Sequence, residues 1–388
     1  MTSASHAPYR RTALPGLVAA VLTTAALASC TGHVARKAAP AAAVAPAVRP
    51  ARAHAPAPAL CGKPPVTLEP QAQAFLNQLA AADEPPLYTL SYAAARKVLD
   101  NLQAQPIAKL PADISDRTVP GGPTGPVSIR VVRPAGVKGP LPGVVYLHGG
   151  GWVLGNAKTH DRLVRQIANG ARAAVVFVNY TPSPEAQFPV PLEQSYTVAK
   201  WLARHGRQIG VDPTRLAIAG DSVGGDMTAA VTLLAKQRGG PHFKQQVLLY
   251  PVTDARFDTA SYRRFADGCW LTRKAMMWFW DAYAPNVADR KNPLAAPLRA
   301  RVDQLRGLPP ALLITDSDVL LDEGNAYAAK LRAAGVPVTT THYGGITHDF
   351  MMLDALAGTR SDREAVAEAG SVLHDALYGA DPAGGRGK

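Results

Sequence analysis

The chain has 388 residues, 47% of them hydrophobic and 18% charged, which suits a globular protein with a sizeable core and excludes a disordered chain. Its net charge of +12 is unevenly placed: Arg10, Arg11, Arg36, Lys37, Arg49, Arg52 and Lys63 lie within residues 1–64, which hold no acid, leaving +5 for the other 324 residues. That weak field, with no basic run interleaved with aromatics, argues against a nucleic-acid partner.

In chain order, Arg10 and Arg11 precede an apolar run, Ala13 to Ala28, that is too short to span a bilayer and reads as a targeting signal. At its end Leu27-Ala28-Ser29-Cys30 resembles the lipobox of bacterial lipoproteins. That resemblance implies a signal peptide over 1–29, a lipid-bearing Cys30, and a location in the bacterial cell envelope, facing the periplasm or exterior. The membrane is then a partner through the lipid anchor, since several acyl chains hold far better than one. Residues 30–65 are mostly Ala, Pro and Val and read as a tether without fixed structure. Cys61 and Cys269, the two remaining cysteines, are a possible disulfide pair in an oxidising compartment.

A globular body is expected over 66–380, with 381–388 a flexible tail. Two helices, Pro70 to Ala82 and Ser91 to Gln103, flank the breaker Glu84-Pro85-Pro86. Ser115 to Val119 and Val127 to Arg133 read as antiparallel neighbours joined by a Gly/Pro turn. Gly143 to Leu147, Ala174 to Asn179, Leu216 to Ala219, Gln246 to Tyr250, Ala311 to Thr315 and Val338 to His342 are short apolar or β-branched runs. Amphipathic stretches separate most of them, so the fold class is α/β: a mostly parallel sheet of about eight strands covered by helices. Thr253 to Arg306 is too long for a simple crossover and holds Trp270, Trp278, Phe279, Trp280 and Tyr283. It is expected to pack extra helices and to form, with 66–110, a helical cap that shapes a pocket.

Gly220-Asp221-Ser222-Val223-Gly224 stands between a strand and a helix, the setting of a nucleophile elbow, where a sharp turn tolerates only small neighbours. The pattern alone is weak. Upstream, His148-Gly149-Gly150-Gly151-Trp152 follows a strand and offers unobstructed backbone N–H groups. Gly150 and Gly151, with the N–H of Val223, are therefore expected to stabilise an oxyanion. The loop lacks the Lys-Ser/Thr of a P-loop and the spacing of a dinucleotide fingerprint, so no cofactor and no metal is assigned.

A serine needs a base, and the base an orienting carboxylate, which in this fold follow in the order Ser, acid, His. Asp318 lies in a loop just past a strand, Asp316 nearer the strand end, and Asp322 where it would cap a helix from Glu323 to Ala334. His348 lies in a Gly-rich loop after the last strand, whereas His342 alternates along that strand and His374 falls on the C-terminal helix. Ser222, Asp318 and His348 are the expected triad.

These motifs resemble the hormone-sensitive-lipase family of α/β-hydrolases: His148 to Trp152 its HGGGW, Gly220 to Gly225 its GDSAGG, Asp318 to Gly324 its DPLxDEG and His348 to Phe350 its HGF. The resemblance spans residues 68–378 and implies an α/β-hydrolase fold with a lid built from the leading helices and the insertion. It further implies a serine carboxylesterase acting on small esters through an acyl-enzyme intermediate, and the aromatic lid points to short acyl chains. An amidase, deacetylase or lactonase would use the same triad, and a non-catalytic small-molecule receptor on the same fold is a further alternative. Val223, Asp226, Val319-Leu320 and Asp349 depart from the family pattern; Asp349 is expected to face solvent. Nothing here fixes an oligomeric state.

Overall fold

A computed structural model describes residues 58–379. The signal peptide, Cys30 and most of the expected tether lie outside the described residues, as does the 381–388 tail. Residues 58–65, read above as part of an unstructured tether, are mostly exposed but fastened to the body around Cys61 and Gly62. Cys61 is buried and bonded to Cys269, and the Lys63 N–H donates to the Arg264 carbonyl.

The two leading helices are α1 (Pro70–Ala82) and α2 (Tyr92–Leu102). Ser91 caps α2 by accepting from the Ala94 N–H, and Pro70 opens α1 where its missing N–H leaves no bond unmade. Strands β1 (Ala112–Gly122) and β2 (Gly125–Pro134) form an antiparallel hairpin. Then β3 (Leu141–Leu147), α3 (Asp161–Ala171), β4 (Ala174–Asn179), α4 (Val190–His205), β5 (Val211–Asp221), α5 (Val223–Gln237) and β6 (Gln246–Leu249) alternate. After the insertion, with short α6 (Ala260–Arg264), α7 (Arg273–Tyr283) and short α8 (Val302–Leu305), come β7 (Ala311–Asp316), α9 (Leu321–Ala333), β8 (Val338–Tyr343) and α10 (Arg360–Tyr378).

The eight strands form one sheet in the order β1-β2-β4-β3-β5-β6-β7-β8. From β4 to β8 every pairing is parallel, while β2 joins β4 antiparallel. Every residue of β3 and β7 is buried. Because successive side chains point to opposite faces, such strands are covered on both sides, which is why they read as unbroken apolar runs. Helices α3 and α10 pack on each other, as do α4 and α5, and α9 lies along β7 and β8. Among the described residues no helix is long and apolar enough to cross a membrane. The expected helix start at Glu323 is two residues late: α9 begins at Leu321, and Asp322 does not cap it but accepts from the Ser261 N–H of the insertion at 2.7 Å.

Aromatic side chains join the insertion to its surroundings. Tyr92 of α2 stacks on Trp278 with centroids 4.8 Å apart, and Phe75 of α1 lies 5.8 Å from Trp270. Trp152, in the loop after β3, stacks on Tyr283 at 4.0 Å, with Trp280 edge-on. The aromatic density of this segment thus packs the core and also ties the insertion to α1, α2 and the loop after β3.

Candidate active site

The groups picked out from the sequence all emerge at the C-terminal ends of parallel strands, where open α/β sheets present their sites. The loop after β3 carries Gly150 and Gly151, the turn after β5 carries Ser222, and the segments after β7 and β8 carry Asp318 and His348. His348 Nε2 lies 2.9 Å from Ser222 Oγ, and its Nδ1 lies 2.5 Å from Asp318 Oδ2. All three residues are buried. His342 instead lies beside Thr315, and His374 stacks on Tyr378 at the surface.

Ser222 adopts φ 54° and ψ −119°, a sparsely populated conformation that persists only where the surroundings enforce it. Its N–H donates to the Leu249 carbonyl, and its own carbonyl accepts from Val252 and Asp226. The neighbouring glycines are sterically required: a Cβ on Gly224 would stand 1.9 Å from the Leu147 carbonyl oxygen, and one on Gly220 2.3 Å from that of Gly224. Any other residue would push the elbow away from β3.

Helix α5 starts at Val223, so its unpaired N-terminal N–H groups and the positive end of its dipole lie at the serine. Among the described residues, the N–H groups of Gly150, Gly151 and Val223 donate to no protein acceptor. At Gly151, with φ 65°, a Cβ would stand 2.1 Å from the Phe279 ring, so the cap presses directly on the glycine loop.

A second buried network, not legible as a motif, holds that loop. Asp221 Oδ1 accepts from Tyr146 Oη at 2.7 Å and from the Gly149 N–H at 3.1 Å, while Oδ2 lies 3.2 Å from His160 Nε2. Burial works against both charges, yet each supports the other: the pair holds Asp221 below its ordinary value and His160 above its own. His148 stacks between Tyr180 and Phe177 and donates from Nδ1 to the Gly149 carbonyl. Burial, with His160 nearby, pushes it down to about 3, so it stays neutral. Asp221 lay inside the elbow motif, but its partners come from β3 and the loop before α3.

One expectation is overturned. Asp349 does not face solvent: it is only 6% exposed, at φ 63°. Its Oδ2 accepts from Trp270 Nε1 at 2.9 Å, and its Oδ1 lies 3.4 Å from His348 Nε2. With its positive φ, residue 349 carries its side chain back into the site. Burial opposes a charged imidazole at His348, but Asp349 and Asp318 outweigh it and push the base up to about 10. Asp316, fully buried, is pushed well above the carboxylate range by burial and by Asp318.

Asp316, Asp318 and His348 are also the one group of acidic and histidine side chains, among the described residues, close enough to hold a metal ion, with candidate atoms within 4.8 Å of one another. Asp318 Oδ2 and His348 Nδ1 already satisfy each other, so the cluster fits an oriented base without any ion. The arrangement offers a hydroxyl, a base oriented by a carboxylate, and convergent N–H donors, the requirements of acyl transfer.

Comparisons with known proteins agree. A family model described as alpha/beta hydrolase fold matches residues 144–352. The ethyl acetate hydrolase of Pseudomonas putida is 34% identical over 300 residues, 75% of this chain and 94% of that protein. The carboxylesterase NlhH of Mycobacterium tuberculosis is 37% identical over 260 residues, 66% of this chain and 81% of that one. Among solved structures, a thermostable esterase from Pseudomonas putida ECU1011 shares 47% identity and a TM-score of 0.79, over 80% of this chain and 98% of that one.

Proposed function

We propose, from the premise that the chain belongs to the hormone-sensitive-lipase family of α/β-hydrolases and is a carboxylic ester hydrolase, that it cleaves short-chain acyl esters with Ser222, His348 and Asp318 as its triad. The observation carrying this reading is the unbroken chain of contacts from Ser222 Oγ through His348 to Asp318, at 2.9 and 2.5 Å.

In the proposed reaction His348 Nε2 takes the Ser222 proton as Oγ attacks the ester carbonyl carbon. The N–H groups of Gly150, Gly151 and Val223 receive the resulting oxyanion, each such donor contributing about 3 to 4 kcal/mol of barrier lowering. The imidazolium then protonates the leaving alcohol, giving an acyl-Ser222. Water repeats the sequence with His348 as base and releases the acid. Two features support a short acyl group: the Phe279 ring pressed against Gly151, which crowds the cap side of the site, and the ethyl acetate hydrolase among its relatives.

Residues 1–29 are further proposed to be a lipoprotein signal, with Cys30 lipidated and the body held outside the cytoplasm. The Cys61–Cys269 bond supports an oxidising compartment. Mass spectrometry of the mature N-terminus tests this: a diacylated Cys30 is expected, and an unmodified or internal N-terminus refutes it.

The catalytic reading is tested by hydrolysis of p-nitrophenyl esters from acetyl to palmitoyl, by wild type and Ser222→Ala. Rates should peak at the short esters and fall by about 10⁴-fold or more in the variant. Equal rates would refute the nucleophile, and a maximum at palmitoyl would refute the short acyl group.

A further inference from the structure

We propose that Asp349 is a second carboxylate partner of His348, held against the base by the disulfide-anchored Trp270, and that it sets the pH at which the base becomes free to act. This rests on the reading of His348 as the base. It adds a positioning residue that the triad does not require.

The geometry is specific. Asp349 Oδ2 is held by Trp270 Nε1 at 2.9 Å, whereas Oδ1 is buried and has no hydrogen-bond donor among the described residues. A buried carboxylate oxygen left so is costly unless a cation stands beside it. The group beside it is His348, whose Nε2 is 3.4 Å away and is the same nitrogen that faces Ser222 Oγ. That nitrogen becomes positively charged at the moment of proton transfer, so Oδ1 stabilises the imidazolium on the side of the reacting atoms while Asp318 does so from Nδ1.

The remaining groups around the base do not substitute for it. Asp316, from the end of β7, is kept protonated by its burial and by Asp318, and Tyr250, after β6, presents a neutral ring edge-on at 5.1 Å. Asp349 also feels the Asp221–His160 pair, whose members already satisfy each other. Burial and Asp221 raise the Asp349 carboxyl, while His348, the Trp270 N–H and His160 lower it; paired with the charged base, Asp349 is the group whose removal would change the charge seen by Nε2 without removing the triad.

Its anchor comes from elsewhere in the chain. Trp270 follows Cys269, which is bonded to Cys61 ahead of α1, and its ring packs near Phe75 of α1. The lid therefore fixes the carboxylate at the base, and a loosened lid would release it.

The test is the pH dependence of kcat/KM for short p-nitrophenyl esters in the full chain. The variants are Asp349→Asn, which keeps the side-chain shape and tolerates positive φ, and Trp270→Phe, which keeps a ring but loses the N–H donor. The midpoint of the acidic limb should fall by about one pH unit or more in Asp349→Asn, and by a smaller step in Trp270→Phe. Asp349→Glu should recover part of the wild-type limb. A limb unchanged in both Asp349→Asn and Trp270→Phe overturns the proposal, even if melting temperature or KM changes, because an anchor for the lid alone would alter only those. Should Ser222→Ala be as active as wild type, the triad reading fails first, and the two failures are told apart.

Discussion

The protonation state of His348 dominates at the scale of single residues. Its value of about 10 in the folded protein, against 6.5 ordinarily, means the neutral base gains population only as pH rises, so kcat/KM should climb well into the alkaline range. A plateau already reached near pH 6 would contradict this. The same shift bears on stability with the opposite sign: a group whose folded value is raised stabilises fully below its unfolded value and loses that contribution as pH rises through the folded one. Melting temperature should therefore decline as pH approaches about 10, while activity is still rising. The meeting of Ser222, Asp318 and His348 was legible because each sits in a short motif at a strand end. Asp349 was not, because its direction depends on a positive φ and on an indole 79 positions earlier, neither of which has a local signature.

Among the elements, the site depends on the turn after β5 and the glycine loop after β3 holding each other. Asp221 links them through Gly149, Tyr146 and His160. Replacing it with asparagine should destabilise the protein by on the order of 2 kcal/mol, since charge-assisted buried bonds are lost, and should lower kcat about tenfold by loosening the oxyanion donors. Chemical denaturation and steady-state kinetics check this; unchanged kcat would show that Gly150 and Gly151 are held without it. Strands and helices were largely readable, because a parallel sheet demands continuous apolar runs and its crossovers amphipathic ones. Helix α9 was misjudged at its start because Asp322, a good cap by composition, is drawn to the Ser261 N–H instead, a long-range bond no local pattern reveals.

In the body formed by residues 58–379, the cap is fastened by the Cys61–Cys269 bond, which closes a loop of 208 residues in sequence. Loop-closure entropy alone would assign such a bond about 5 kcal/mol. Cys61→Ala/Cys269→Ala should therefore lower stability by about 2 to 5 kcal/mol and bring the acidic limb toward that of Trp270→Phe. A variant as stable as wild type with an unchanged limb would separate the disulfide from the site. Pairing of the two cysteines has no signal beyond their number, and the anchoring of residues 58–65 at Cys61 was hidden by an Ala/Pro-rich composition that otherwise signals loose chain. The most direct measurement on the molecule as a whole is peptide mapping after reaction with a p-nitrophenyl alkylphosphonate, which traps the acylating nucleophile. A single stoichiometric adduct on Ser222, abolished in Ser222→Ala and slowed in His348→Ala, is the expected result; an adduct on another residue, or undiminished labelling of Ser222→Ala, would contradict it.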